Sequence, residues 1–226
     1  MNASLDDDLV KVWAAGWAAC RGHETREHGR FPSAQISGSS SDWQFFALEP
    51  TDDEFSDLAS RIAESPSLLY VFTDRMPAMH AKASSAGLHV TGTFQSLMTT
   101  DMAGQDIEDP LSPDGFETTV TRGDGVHRVL VTHDGEEAAR GSVAVVGEYA
   151  VFDRIITAPN YRRQGLGSYV MRALTAVVME HDVEHGLLLA SPDGRALYGF
   201  LGWLELTEVL MLQGQEPAEA DIVKID

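Results

Sequence analysis

Seven consecutive residues have the types and spacing that chemistry would need: Arg162, Arg163, Gln164, Gly165, Leu166, Gly167 and Ser168. They follow the apolar run Val151 to Thr157 and lead into a long segment with a helical apolar stripe. A strand that turns through Arg-x-x-Gly-x-Gly into a helix is an anion cradle. The first helical turn has unpaired N–H groups and a partial positive charge, glycine lets the backbone approach a diphosphate, and guanidinium groups add permanent charge. The charge distribution agrees with this reading. Arg154 to Arg172 holds four arginines and no carboxylate, inside a chain whose net charge is −19. An acidic protein with one basic island is expected to use that island on an anion. The pattern is not a dinucleotide fingerprint, because Val170 stands where Gly-x-Gly-x-x-Gly needs its third glycine.

The Arg162–Gly167 pattern resembles the acyl-CoA-binding motif of the GNAT N-acetyltransferase superfamily. A second segment, Ala196-Leu-Tyr-Gly-Phe-Leu-Gly-Trp203, is similar to that family's Leu-Tyr-x-x-x-Gly-Phe/Trp segment and lies at the usual distance beyond the cradle. The resemblance covers roughly residues 115–213. It implies an acyl-CoA held between two splayed strands, most simply acetyl-CoA as donor substrate, with no metal. The diphosphate would rest on the backbone amides of Gln164 to Ser168, flanked by Arg162 and Arg163. The pantetheine would pair with the backbone of Ile155, Ile156 and Thr157, as an added strand. An amine, on a small molecule or peptide, would attack the thioester directly, which requires a base, oxyanion donors and an acid for the departing thiolate.

Tyr198 matches the family's general-acid position; packing of a short helix onto the sheet is the other use for a tyrosine there. Asp153 is the candidate base, since an acid within an apolar strand needs a reason; an ion pair with Arg154 or another arginine is the alternative. Ser191 stands where many relatives carry the asparagine that contacts pantetheine, and its hydroxyl can still donate. A different class of function also fits: a CoA-binding sensor or interaction module that has lost turnover.

The elements that must position these residues read as follows. Ser4 to Cys20 is expected to be an amphipathic helix capped by Ser4, with Trp13 and Trp17 in the core. Residues 21–42 read as loop, and Trp43 to Leu48 as a strand. Thr51-Asp-Asp-Glu54 is a capping box opening a helix that stops before Pro66. A strand (68–73), a short helix (77–86) and a strand (94–100) follow. Hairpin strands are expected at 116–121, 126–132, 138–146 and 149–157. Then come a helix from Gly165 to about Glu180, a strand (186–190), a short helix (194–201) and a last strand (204–212). The strand–helix–strand unit at 68–100 is echoed at 186–212. The fold class is therefore α/β (α+β), a mixed and mostly antiparallel GNAT-like sheet flanked by helices. Its N-terminal α/β extension (1–100) reads as a degenerate half-copy, joined by a linker (101–115) to the catalytic domain (116–226).

Composition excludes other classes. The chain has 226 residues, 43% of them hydrophobic, enough for a full core. No apolar run approaches the ~20 residues of a membrane helix, and the acidic N-terminus is unlike a secretory signal. The pI near 4.6 makes nucleic acid and anionic membranes poor partners and suits cationic substrates such as amines. The lone Cys20 cannot build a disulfide framework or a thiolate zinc site, so a cytoplasmic location is expected. His181 and His185, four apart, give no supporting metal spacing; His181 suits the helix C-terminal dipole. A homodimer is left open.

Overall fold

A computed structural model describes residues 5–36, 38–39, 42–63, 65–92, 94–105 and 110–214. Helix α1 (Asp7–Arg21) begins at Asp6, whose carboxylate accepts from the Leu9 N–H at 2.9 Å. Asp6 therefore takes the capping role expected of Ser4, which lies outside the described residues. Leu9, Val10, Trp13, Ala14, Trp17 and Ala18 form the buried face of α1, against Phe46, Phe72 and Val151. Gly16 makes this contact close: a Cβ there would sit 2.4 Å from the Val151 side chain. The helix ends on Gly22, in the left-handed region at φ 70°, and the His23 N–H closes the last turn onto the Ala18 carbonyl at 2.9 Å.

The stretch expected to be loop instead forms a hairpin, β1 (Glu24–His28) and β2 (Phe31–Gln35). β1 is a polar, exposed edge strand without apolar alternation, and β2 contains Pro32; both features hide a strand from a reading by period. The chain continues through β3 (Trp43–Leu48), α2 (Asp52–Ile62), β4 (Leu68–Thr73), α3 (Met76–Ser85) and the two-residue β5 (His89–Val90) to β6 (Gln95–Asp101). The capping box of α2 is complete, with Thr51 and Glu54 bonding each other's backbone N–H. β7 (Glu117–Arg122), β8 (Val126–His133), β9 (Glu136–Val146) and β10 (Tyr149–Thr157) form the meander. α4 (Leu166–Val178), β11 (His185–Ala190), α5 (Pro192–Phe200) and β12 (Leu204–Gln213) complete it.

All described strands join one sheet in the order β1-β2-β3-β4-β12-β6-β11-β10-β9-β8-β7, with β5 beside β12. Only β3/β4 and β10/β11 are parallel pairs; the rest are antiparallel. Each parallel pair is joined by a crossover helix, α2 or α4, and followed by a short helix and a final strand. The echo at 68–100 and 186–212 is thus two similar units that exchange their last strands. β6, after α3, pairs with β11, and β12, after α5, pairs with β4. β6 and β12 then pair with each other at the centre of the sheet.

This exchange bears on the expected division of the chain. β6 precedes the 101–115 linker, yet its hydrogen-bonded neighbours are β11 and β12. Of the linker, Asp101 closes β6, Met102–Gly104 form a 3-10 turn, and residues 106–109 lie outside the described residues. No helix among the described residues is long and apolar enough to cross a membrane.

Candidate active site

β10 decides the geometry of the site. Its partnership with β11 runs from Tyr149↔His185 to Phe152↔Leu188 and stops, although β10 continues to Thr157 and β11 to Ala190. On its other edge β10 stays with β9, through a bulge between Asp153 and Ile156 where Arg154 takes φ 56°. A bulge bends its strand and increases local twist, which here carries 155–157 away from β11. Ile155, Ile156 and Thr157 are half-buried along the parted edge.

The chain then turns through Pro159–Tyr161 into Arg162–Gly165. Gly165 is the N-cap of α4 at φ 81°, a conformation that glycine adopts freely, and no heavy atom lies within 4 Å of a Cβ built there. No side chain caps α4, so its first N–H groups are left for an external acceptor. Arg162 donates to the Thr157 carbonyl at 3.3 Å, and Gln164 to the Asn160 carbonyl at 3.4 Å. Arg162, Arg163, Gln164 and Gly165 are exposed, while Leu166 buries its side chain and offers only its backbone. Gly167 faces Thr157 Oγ1 and Leu197. Behind them Val170, Met171, Leu174 and Val178 anchor α4 in the core of the meander.

α5 closes the other side. Ser191 is its N-cap, accepting from the Gly194 N–H at 3.1 Å through a side chain that remains exposed. Tyr198 is 7% exposed and packs its ring 6.1 Å from Trp203, which stands edge-on to Phe152 at 5.5 Å. The Trp203 N–H binds the Tyr198 carbonyl at 3.0 Å and fixes the end of α5. Among the described residues the Tyr198 hydroxyl has no hydrogen-bond partner. Burial, and secondarily the charge of Asp153, push this phenol well above its ordinary pKa, so it carries its proton at any physiological pH.

Asp153 has the ion pair that its sequence context allowed, and the partner is neither Arg154 nor any neighbour in sequence. Arg21, at the end of α1, holds it through Nε at 2.8 Å and Nη2 at 3.0 Å. The pair is largely enclosed, with 26% of the Arg21 side chain and 12% of the Asp153 side chain exposed. Arg21 also stacks on Trp17, 4.5 Å from the ring centre. Cys20 is buried, and burial, followed by Asp153, pushes its thiol up to about 12, so it is no nucleophile. Tyr70 of β4 lies in the same neighbourhood, pushed up to about 12 by burial. His23 ends the α1 turn 5.4 Å from Trp17; burial first, then Arg21, lowers its pKa. Arg21, His23 and Tyr70 were outside the reading by motif, since no local pattern ties them to Asp153.

His181 lies three residues beyond the last residue of α4. The helix ends at Val178, and the exposed His181 ring sets its Nε2 3.1 Å from Nε2 of buried His127 on β8.

Comparisons with known proteins bear on the fold. The model of the Acetyltransferase (GNAT) family matches residues 94–203, from the start of β6 to Trp203. A Bacillus subtilis (strain 168) protein, provisionally named an acetyltransferase, is 28% identical over 131 residues, 58% of this chain and 86% of that protein. Among solved structures, a GCN5-related N-acetyltransferase from Kribbella flavida superposes with a TM-score of 0.67 at 14% identity, covering 97% of this chain and 99% of that one. A tandem GNAT protein from the clavulanic acid biosynthesis pathway gives 0.56 at 14% identity, covering 85% and 82%. These likenesses are of fold, and the tandem structure fits a chain built of two similar units. Residues 94–203, which include the parted strands and the open glycine turn, are the part of the chain that matches the GNAT acetyltransferase family model.

Proposed function

We propose that the protein transfers an acetyl group from acetyl-CoA to a primary amine, within a complex of both substrates. The observation that carries this reading is the wedge between β10 and β11, which opens directly onto the uncapped N-terminus of α4. Backbone N–H groups from Gln164 to Ser168 receive the diphosphate, with Arg162 and Arg163 beside it. The parted edge at Ile155, Ile156 and Thr157 pairs with the pantetheine amides, and the Ser191 hydroxyl lies at the far strand's end with a proton to donate.

The amine approaches from the α1 side of β10, toward which Asp153 projects to meet Arg21. Arg21 occupies two of the roughly four acceptor positions of the Asp153 carboxylate, and the rest take the proton released by the attacking nitrogen. Tyr198 donates its hydroxyl proton to the departing sulfur as the C–S bond breaks. The phenol is restored by the proton released at nitrogen, so the net transfer runs from amine to thiolate. Asp153 adds to the burial that raises the Tyr198 pKa and keeps its phenol protonated.

Thiol release from acetyl-CoA over a panel of amines tests the activity, and Tyr198→Phe tests the mechanism. Removal of one hydroxyl is expected to lower kcat by about 10²-fold or more, with the KM for acetyl-CoA and the melting temperature little changed. A normal kcat in that variant would exclude Tyr198 as the acid. Tight acetyl-CoA binding without thiol release for any amine would favour the sensor reading.

A further inference from the structure

Resting on the acetyl-transfer reading, we infer that the acceptor is an amine that also carries a carboxylate, of the amino-acid type, and that Arg128 and Arg154 receive that carboxylate. The register places Arg128 of β8, Ser142 of β9 and Asp153 of β10 in one row across three strands. At ~4.8 Å per strand, Arg128 and Asp153 are about 10 Å apart across the sheet. The last turn of α1 lies over this row. Arg21 grips Asp153 at one end, and Arg128 donates to the Cys20 carbonyl at 3.4 Å toward the other. Arg154 sits at the bulge beside Asp153, in the left-handed region at φ 56°.

Charge gives this face its selectivity. Asp153 is the one carboxylate whose field shifts Cys20, His23, Tyr70 or Tyr198, while the cations acting on them are Arg21, Arg128 and Arg154. Burial first, and then Arg21, lower the His23 pKa, which disfavours a further cation here. Arg21, Arg128 and Arg154 thus lie near enough to act on these groups, with Asp153 as the carboxylate that does so, on a chain whose net charge is −19. Arg21 is committed to Asp153. Arg128 uses a single N–H on the Cys20 carbonyl, and neither it nor Arg154 has an ion pair among the described residues; both are exposed. A simple cationic amine would meet a surplus of positive charge here. An amine with its own carboxylate presents the complementary pattern, its nitrogen toward Asp153 and its anion toward the free guanidinium groups.

The test pairs each of a panel of α- and ω-amino acids with its own carboxamide, measuring thiol release at saturating acetyl-CoA. Free acids are expected to exceed their amides by about 10-fold or more in kcat/KM, the range of a charge-assisted hydrogen bond. In Arg128→Met/Arg154→Met that preference is expected to fall to within about 3-fold. Amides equal to or better than the acids, or a preference that survives in the double variant, would overturn the inference. Calorimetric titration of the same pairs into the CoA-saturated protein gives a readout independent of turnover: acid-selective binding supports the inference, and equal or absent binding overturns it. A separate titration with acetyl-CoA alone reports on the donor, so failure of the acetyl-transfer reading is distinguishable from failure of the acceptor assignment.

Discussion

The units β3-α2-β4 and β10-α4-β11 are built alike and treated oppositely. Each is a parallel strand pair with a crossover helix, and each helix starts where an anion could sit. In the first unit the strands stay paired from Gln44↔Leu68 to Leu48↔Phe72, with no wedge. The start of α2 is filled from within: Thr51 and Glu54 cap it, and Asp52, Asp53 and Glu54 place three carboxylates in its first turn. Arg30 binds Glu54, Asp7 and the carbonyls of Leu48 and Glu49, which clamps α1, α2 and the end of β3 together. Glu49, at φ 39°, accepts from Thr73, the Asp74 N–H and Arg75. In the second unit the strands part, the helix has no side-chain cap, and its first turn carries no acid. The same scaffold leaves room for an anion only where its own dipoles are unsatisfied and its strands unpaired.

Three measurements would break or sharpen this contrast. The largest effect belongs to the open turn. Arg162→Glu/Gly165→Asp places carboxylates where the proposed site would hold a diphosphate, and should weaken acetyl-CoA binding by roughly 5- to 150-fold, or ~1–3 kcal/mol. Unchanged affinity in the folded double variant would remove the anion-site reading, and calorimetry of the parent should give one site per chain. The closed helix should respond in the opposite manner. Thr51→Ala removes the α2 cap and is expected to cost about 1 kcal/mol of stability, read as a lower melting temperature, with acetyl-CoA affinity unaltered. A change in affinity would mean that the first unit does contact the donor.

The smallest effect concerns pH. Burial, followed by the neighbouring His181, lowers the His127 pKa, so the unfolded chain binds that proton more readily than the folded one. Stability from this group is therefore present above the unfolded value, ~6.5, and is lost as pH falls below it toward the lowered folded value. The slope cannot exceed about 1.4 kcal/mol per pH unit for one proton. Urea midpoints between about pH 7.5 and 5.5 should fall less steeply in His127→Gln. An identical slope in the variant would assign the acid sensitivity elsewhere.

Much of the site could be read from local pattern. Tyr149–Thr157 was legible as a strand to its last residue, and Gly165 as the start of the long helix, because apolar period and glycine placement are local signals. The echo between residues 68–100 and 186–212 was visible as order of elements. The β1/β2 hairpin was not, since a polar edge strand and a proline-containing partner carry no period. Nor did any pattern disclose that Arg21, 132 residues away, would be the arginine that meets Asp153.

What the sequence determined by itself was the chemistry on offer: a basic island in an acidic chain, an Arg-x-x-Gly-x-Gly turn between strand and helix, and Tyr198 in a short helix beyond it. These depend on residue types within a few positions of one another, where backbone propensity and charge act directly. The tertiary structure alone decided how they are used. The exchange of β6 and β12, the parting of β10 from β11 at a bulge, and the approach of α1 over Val151 through Gly16 all arise from contacts between distant segments. Such contacts are selected by packing and hydrogen-bond satisfaction across the whole sheet, so no window along the chain contains them.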